Sequence, residues 1–273
     1  MKISVSNIAW DNKSSPYYLK YIRELGCSGV EIAPSVVWPE PIKSTKQERV
    51  KFLNSVRNSD LEIVGFHSLL YHRPDLQLFF SKDSRIATKD YICNLANLCA
   101  ELGGKQLIFG SPKNRILHGK NYEECTKQAI DDFFEIAEFS KKKNIFFCIE
   151  PLGENETEFI KSLNEGGGMV EKVNHPYFKL HLDSKAVFST NEDPDKITKK
   201  YGKFLQHVHV GDNNLQEPGT INTDHYKIGA ALRNINYSKY VSIEMRKNDR
   251  DVKASLTRSI SYVKKNYLGA NNG

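Results

Sequence analysis

The sequence predicts an α/β fold in which eight parallel strands, each followed by a helix, close into a single-domain (β/α)8 TIM barrel. Short apolar runs alternate with helix-length amphipathic stretches throughout the 273 residues, and no linker-like stretch interrupts them. Alternation of this kind implies parallel strands joined by right-handed crossovers. Eight such pairs favour a closed barrel over an open doubly wound sheet. The Gly-x-Gly-x-x-Gly loop, the P-loop and the Gly-x-Ser-x-Gly elbow are all absent, which weakens the open-sheet reading further. The domain is expected to span residues 1–267, with 268–273 a disordered tail.

Residues 3–9 read as the first strand, and Ser14, Ser15 and Pro16 open a helix that stops at Gly26. Residues 29–33 form the second strand, which Pro34 ends, and a proline-rich loop carrying Trp38 follows. Residues 44–47, Ser-Thr-Lys-Gln, read as a capping box for a helix lasting to about Asn58. The third strand, 61–66, has His67 at its tip. The aromatic loop after it, 68–83, is long enough to suggest function. A helix over 84–102 leads to strand four at 105–109, and a helix over 122–142 leads to strand five at 144–150. Strands six to eight follow at 178–183, 204–209 and 240–244, with helices near 157–173, 194–201, 225–234 and 250–265.

The net charge of +6 is spread along helices; it reads as a solvated surface and gives no basic patch for nucleic acid. Five cysteines, an odd number without CxxC spacing, argue against a disulfide framework and fit a reducing cytoplasm. The N-terminal apolar run is too short for a signal peptide, and no run is long enough to span a membrane. The oligomeric state stays open, a homo-oligomer included.

Four successive strands end on a residue that can bind metal: Glu150, Asp183, His209 and Glu244. Barrel chemistry sits at the C-terminal strand ends. Three carboxylates converging there would repel one another, and one divalent cation relieves that. Oxygen-rich ligation with one nitrogen suits Mn2+, with Mg2+, Co2+ or Zn2+ as alternatives. Side chains alternate along a strand, so Cys148, His181, His207 and Ser242 share the inward face beneath the four. His181 and His207 are expected to orient the ligands from below as satisfied core histidines rather than bind the metal. His67 could touch substrate from the third tip, and Trp38 either walls the pocket or packs in the core.

The chain resembles the xylose isomerase-like barrels, through residues 6–11, 29–34, 207–211 and 242–245 and the Glu150-Pro-Leu turn. It is most similar to ketose 3-epimerases. That resemblance implies a small-molecule sugar substrate and a divalent-metal-dependent isomerase or epimerase of carbohydrate metabolism. Glu150 and Glu244 would then move a proton next to a carbonyl through an enediolate, and Glu156 would contact substrate. Where that branch carries a histidine and an arginine, this chain has Ala186 and Leu215, which puts a free ketohexose in doubt. Of the nearby bases Lys113, Arg115, Lys185 and Arg246, the last two are the first candidates to meet a phosphate or carboxylate, as in a sugar acid or sugar phosphate. A keto-polyol dehydratase of the inosose dehydratase kind is the nearer rival. An endonuclease IV-like phosphodiesterase is the farther one, because its additional metal-binding histidines are missing here.

Overall fold

A computed structural model describes residues 1–221, 223–248 and 251–269. Among them the strands are β1 (Lys2–Ser6), β2 (Gly29–Ile32), β3 (Glu62–Phe66), β4 (Gln106–Phe109), β5 (Phe146–Ile149), β6 (Phe178–Asp183), β7 (Leu205–Val210) and β8 (Tyr240–Ile243). They pair in sequence order, all parallel, and β8 returns to β1 through Lys2↔Tyr240 and Ile3↔Val241, so the sheet closes. The helices are α1 (Ser15–Glu24), α2 (Pro34–Val37), α3 (Lys46–Arg57), α4 (Lys82–Glu101), α5 (Tyr122–Lys141), α6 (Leu163–Val173), α7 (Ser184–Thr190), α8 (Pro194–Tyr201), α9 (His225–Asn234) and α10 (Val252–Val263). A π-helical turn, Lys264–Leu268, follows α10, so the boundary expected at 267 falls inside a helical turn. Residues 270–273 of the expected tail lie outside the described residues.

Each strand divides its side chains between two environments. The outward set, including Val30, Ile32, Phe147, Ile149, Val208 and Ile243, is buried against the helices. On α5, Phe133 stacks on Phe178 at 5.2 Å and meets Phe109 and Phe147 edge-on, tying one helix to three strands. Burying each such ring contributes about 1.5–3 kcal/mol. The inward set is polar: Ser4, Ser6, Glu31, His181, Asp183, His207, His209 and Ser242 are all buried inside the barrel. A polar interior of this kind needs partners, and it is where the chemistry collects.

Local chemistry moved several element ends. β1 stops at Ser6, whose hydroxyl accepts from Ile8 N and starts a 3-10 turn at Asn7–Ala9. The capping box lies one residue later than expected: Thr45 Oγ1 accepts from Glu48 N and Glu48 accepts from Thr45 N, while Ser44 bonds Pro41 O. α6 begins at Leu163 rather than near 157, because Ile160 takes a left-handed φ of 60° and Ser162 supplies the cap. α7 was not foreseen; Asp183 caps it through Oδ1, accepting from Lys185 N at 2.9 Å. Among the described residues no helix is long and apolar enough to cross a membrane.

Candidate metal centre

Glu150, Asp183, His209 and Glu244 each place one ligand atom within 4.8 Å of the others. Backbone pairing sets the four heights: Asp183 is in register with His209, Glu150 N donates to Phe109 O, and Glu244 N donates to Val210 O. Two glycines make room. A Cβ on Gly110 would lie 2.1 Å from Glu150 Oε2, and one on Gly211 would lie 2.4 Å from Glu244 O. Arg115 is fully buried and donates from Nη2 to Glu150 O at 2.9 Å, fixing the β5 tip from behind.

The donors suit a divalent ion. Asp183 Oδ2 is buried with no hydrogen-bond partner. It lies 3.1 Å from Lys185 Nζ, which is also 3.5 Å from Glu244 Oε2. His209 Nδ1 faces Glu150 Oε1 at 3.3 Å and Glu244 Oε2 at 3.5 Å, while Nε2 binds Glu31 Oε2 at 2.9 Å. Two overlapping groups, Glu31 with His207 and His209, and Glu150 with His181 and His209, also cluster closely enough to hold metal. Glu31 is already engaged by both of its histidines, so the four strand tips fit an added cation best.

Burial would push these groups toward neutrality, and their mutual charges overrule it in most cases. Burial opposes ionisation of Glu244, but Lys185, His209 and His67 hold its carboxyl well below the ordinary range. Burial opposes charge on Lys185 too, and Asp183, Glu244 and Glu150 keep it an ammonium. His209 is held well above the usual imidazole range against burial by Glu31, Glu244 and Glu150. Asp183 is the exception: burial, with Glu150 and Glu244 beside it, pushes it up despite Lys185.

A cavity of about 480 Å³ opens above the cluster. Glu150 and Glu244 line it; Asp183 and His209 do not. Glu156 lines the cavity wall, where partial desolvation together with Glu150 and Glu244 raises its carboxyl despite Lys185. Arg246 lines it with an exposed guanidinium that makes no ion pair among the described residues. Ala186 is buried, whereas Leu215 lines the wall in a left-handed conformation, φ 57°, directly after Asn214 at φ 60°.

Several candidates sit elsewhere than expected. His67 is buried and does not line the cavity: Nε2 shares a 2.6 Å hydrogen bond with Ser6 Oγ, and Nδ1 meets Glu244 Oε1 at 3.1 Å. From there it is placed to orient Glu244. Trp38 lines no part of the cavity; its ring is edge-on to Phe52 at 5.3 Å in the core. Lys185 reaches the cavity but is committed to Asp183 and Glu244. His181 and His207 lie beneath the ligands as expected, yet neither is a satisfied core histidine: both nitrogens of each lack a hydrogen-bond partner, with His181 Nε2 3.5 Å from Glu150 Oε1 and His207 Nε2 3.1 Å from Glu31 Oε1. For His181, burial and its two histidine neighbours keep the ring neutral. Sequence reasoning missed Glu31. The available signal was a lone carboxylate between Val30 and Ile32 on a strand.

A profile of xylose isomerase-like TIM barrels matches residues 19–265. D-psicose 3-epimerase of Ruminiclostridium cellulolyticum is 30% identical over 238 residues, covering 84% of this chain and 77% of that protein. 3-Dehydro-D-guloside 4-epimerase of Escherichia coli is 20% identical over 97% of this chain and 99% of its own. Among solved structures, D-psicose 3-epimerase with D-tagatose from Clostridium cellulolyticum superposes with a TM-score of 0.83 at 17% identity, covering 98% of this chain and 99% of that one.

Proposed function

The chain belongs to the xylose isomerase-like TIM barrel family, and on that premise we propose that it is a divalent-metal-dependent epimerase or isomerase of ketoses or keto-sugar derivatives. The observation that carries this reading is that two of the three ligand carboxylates, Glu150 and Glu244, also line the cavity. They can reach both a metal and a sugar. A divalent cation held by Glu150, Asp183, His209 and Glu244, Mn2+ by preference for this oxygen-rich set, would supply Lewis-acid polarisation of the substrate carbonyl.

The protein's own groups do the rest. Lys185, His209 and His67 hold Glu244 ionised against its burial, which leaves it in the carboxylate form that a base requires. Removing the proton from the carbon beside the carbonyl gives an enediolate. Glu150, entering the step as the carboxylic acid, gives up its proton from the opposite face as Glu244 keeps the one it removed, so the two glutamates exchange protonation states. Return to the same carbon gives epimerisation, and return to the neighbouring carbon gives aldose–ketose isomerisation. Arg246 favours a substrate with a phosphate or carboxylate, since its guanidinium at the cavity wall lacks an ion-pair partner among the described residues.

The named substrates of the relatives, psicose and a dehydro-guloside, belong to the same keto-sugar class. The test is turnover of a ketose panel in D2O with Mn2+. Deuterium should appear at the carbon next to the carbonyl and be lost in Glu150→Gln and Glu244→Gln. Turnover without exchange would remove the enediolate route.

A further inference from the structure

A second cavity, about 420 Å³, adjoins the reaction cavity and shares Ser68, Ser111 and Pro112 with it. Its own lining includes Tyr71, His72 and Lys113. We propose that this cavity is a subsite for a second sugar ring, so that the substrate is a ketose carried in glycosidic linkage. This rests on the reading of the first cavity as the place where the keto-sugar reacts.

Three observations carry it. The two cavities are of similar size and share the wall formed by Ser68, Ser111 and Pro112, so an occupant of the second lies beside the sugar in the first. Tyr71 is 72% exposed, the most exposed large hydrophobic side chain among the described residues. Its loop is nevertheless pinned: Leu69, Leu70, Leu76 and Leu78 are buried, and Asn114 Nδ2 donates to Arg73 O and Leu76 O. An aromatic face held out on a fixed loop beside a sugar cavity is a stacking platform for the C–H face of a pyranose ring. In the shared wall, Ser111 takes a left-handed φ of 43° and its buried Oγ has no hydrogen-bond partner. Ser68 in the same wall is also left-handed, at φ 50°. Strained backbone of this kind persists where the surrounding structure holds it and clusters at ligand clamps. The mixture of one aromatic face with imidazole, ammonium and hydroxyl groups suits a polyol ring better than an alkyl or aryl group.

The probes are D-fructose and isomaltulose, a fructose bearing a glucosyl ring on O6, offered to Mg2+-loaded protein. Calorimetry should show isomaltulose binding about tenfold more tightly than fructose. Saturation-transfer NMR should label the glucosyl protons as well as the fructosyl ones. Tyr71→Ala should abolish both the tenfold preference and the glucosyl labelling while leaving fructose binding unchanged. Equal affinities, labelling confined to the fructosyl ring, binding of neither sugar, or a Tyr71→Ala variant that keeps both the preference and the glucosyl labelling would each overturn the subsite. Deuterium exchange separates the two readings. If both sugars exchange with equal kcat/KM, only the subsite fails; if neither exchanges although both bind, the reaction assignment fails.

Discussion

Lys185 and Arg246 both lie within two residues of a ligand carboxylate, and the fold puts them to different uses. Lys185 is buried against Asp183 and Glu244. Arg246 is exposed on the cavity wall, and its backbone N–H donates to Leu215 O. A buried ammonium touching two ligands competes with a metal for them, whereas a guanidinium on the wall leaves them alone and faces the cavity where an anionic substrate would sit. Lys185→Met should therefore tighten divalent-metal binding, measured by calorimetry on chelator-treated protein, by about tenfold or more, since roughly 1.4 kcal/mol of relieved competition suffices. Arg246→Ala should leave metal affinity alone and raise KM for a sugar phosphate or sugar acid more than for the neutral sugar. Weaker metal binding in the first variant, or equal KM changes in the second, would refute the respective role. Spacing alone proposed these two positions, because each follows a strand tip. It could not separate their roles, which depend on whether a helix such as α7 turns the side chain inward. Glu31 was missed for a related reason: its partners His207 and His209 are remote in sequence and meet it only across the barrel.

At the scale of elements, the connection from β7 to α9 is organised on Asp212. Its carboxylate accepts from Thr220 N, Ile221 N, Thr223 Oγ1 and His225 Nε2, and His225 Nδ1 meets Tyr267 Oη at 2.8 Å in the closing π-helical turn. Asn213, Asn214 and Leu215 on this connection line the reaction cavity. Burial opposes ionisation of Asp212, but its bonds from His225, Thr223 and Ile221 win and lower its carboxyl below the ordinary value. A group depressed on folding stabilises the protein above its unfolded pKa, near 3.9 for aspartate, and loses that contribution as pH falls through the lower folded value. Asp212→Asn should cost about 2–3 kcal/mol at pH 7. The difference from wild type should shrink in thermal melts below about pH 4. A variant equally destabilised at pH 3 and pH 7 would show that the charge is not what holds the connection. Little of this was legible beforehand. Helix and strand positions followed from periodicity and capping residues, and eight strands were placed within a few residues. Cap register at Thr45, the late start of α6 and the unforeseen α7 were set by single side-chain bonds that several neighbouring polar residues could equally have made.

At the scale of the whole molecule, the four metal-binding tips all come from β5 to β8, and the first half of the barrel supplies what steadies them. Glu31 on β2 binds His209, and His67 after β3, itself held by Ser6 on β1, binds Glu244. The site therefore joins the halves of a sheet whose only other seams are the β4–β5 and β8–β1 pairings. Alternation of apolar and polar positions made this barrel readable; the cross-barrel pairing was not, since it depends on how far the strands are staggered. A ligand that binds only the native state adds RT ln(1 + [L]/Kd), or about 2.7 kcal/mol at a hundredfold excess over Kd. For a chain of this size that corresponds to a rise in Tm of roughly 5–10 °C. Mn2+ added to chelator-treated protein should produce such a rise, and Asp183→Asn should abolish it. Asparagine keeps the oxygen that caps α7 while removing the ligand's charge, so loss of the rise in that variant reports the metal and not the cap. No rise with Mn2+, Mg2+, Co2+ or Zn2+, or a rise that survives in Asp183→Asn, would show that the four tips do not form the metal site that couples the two halves.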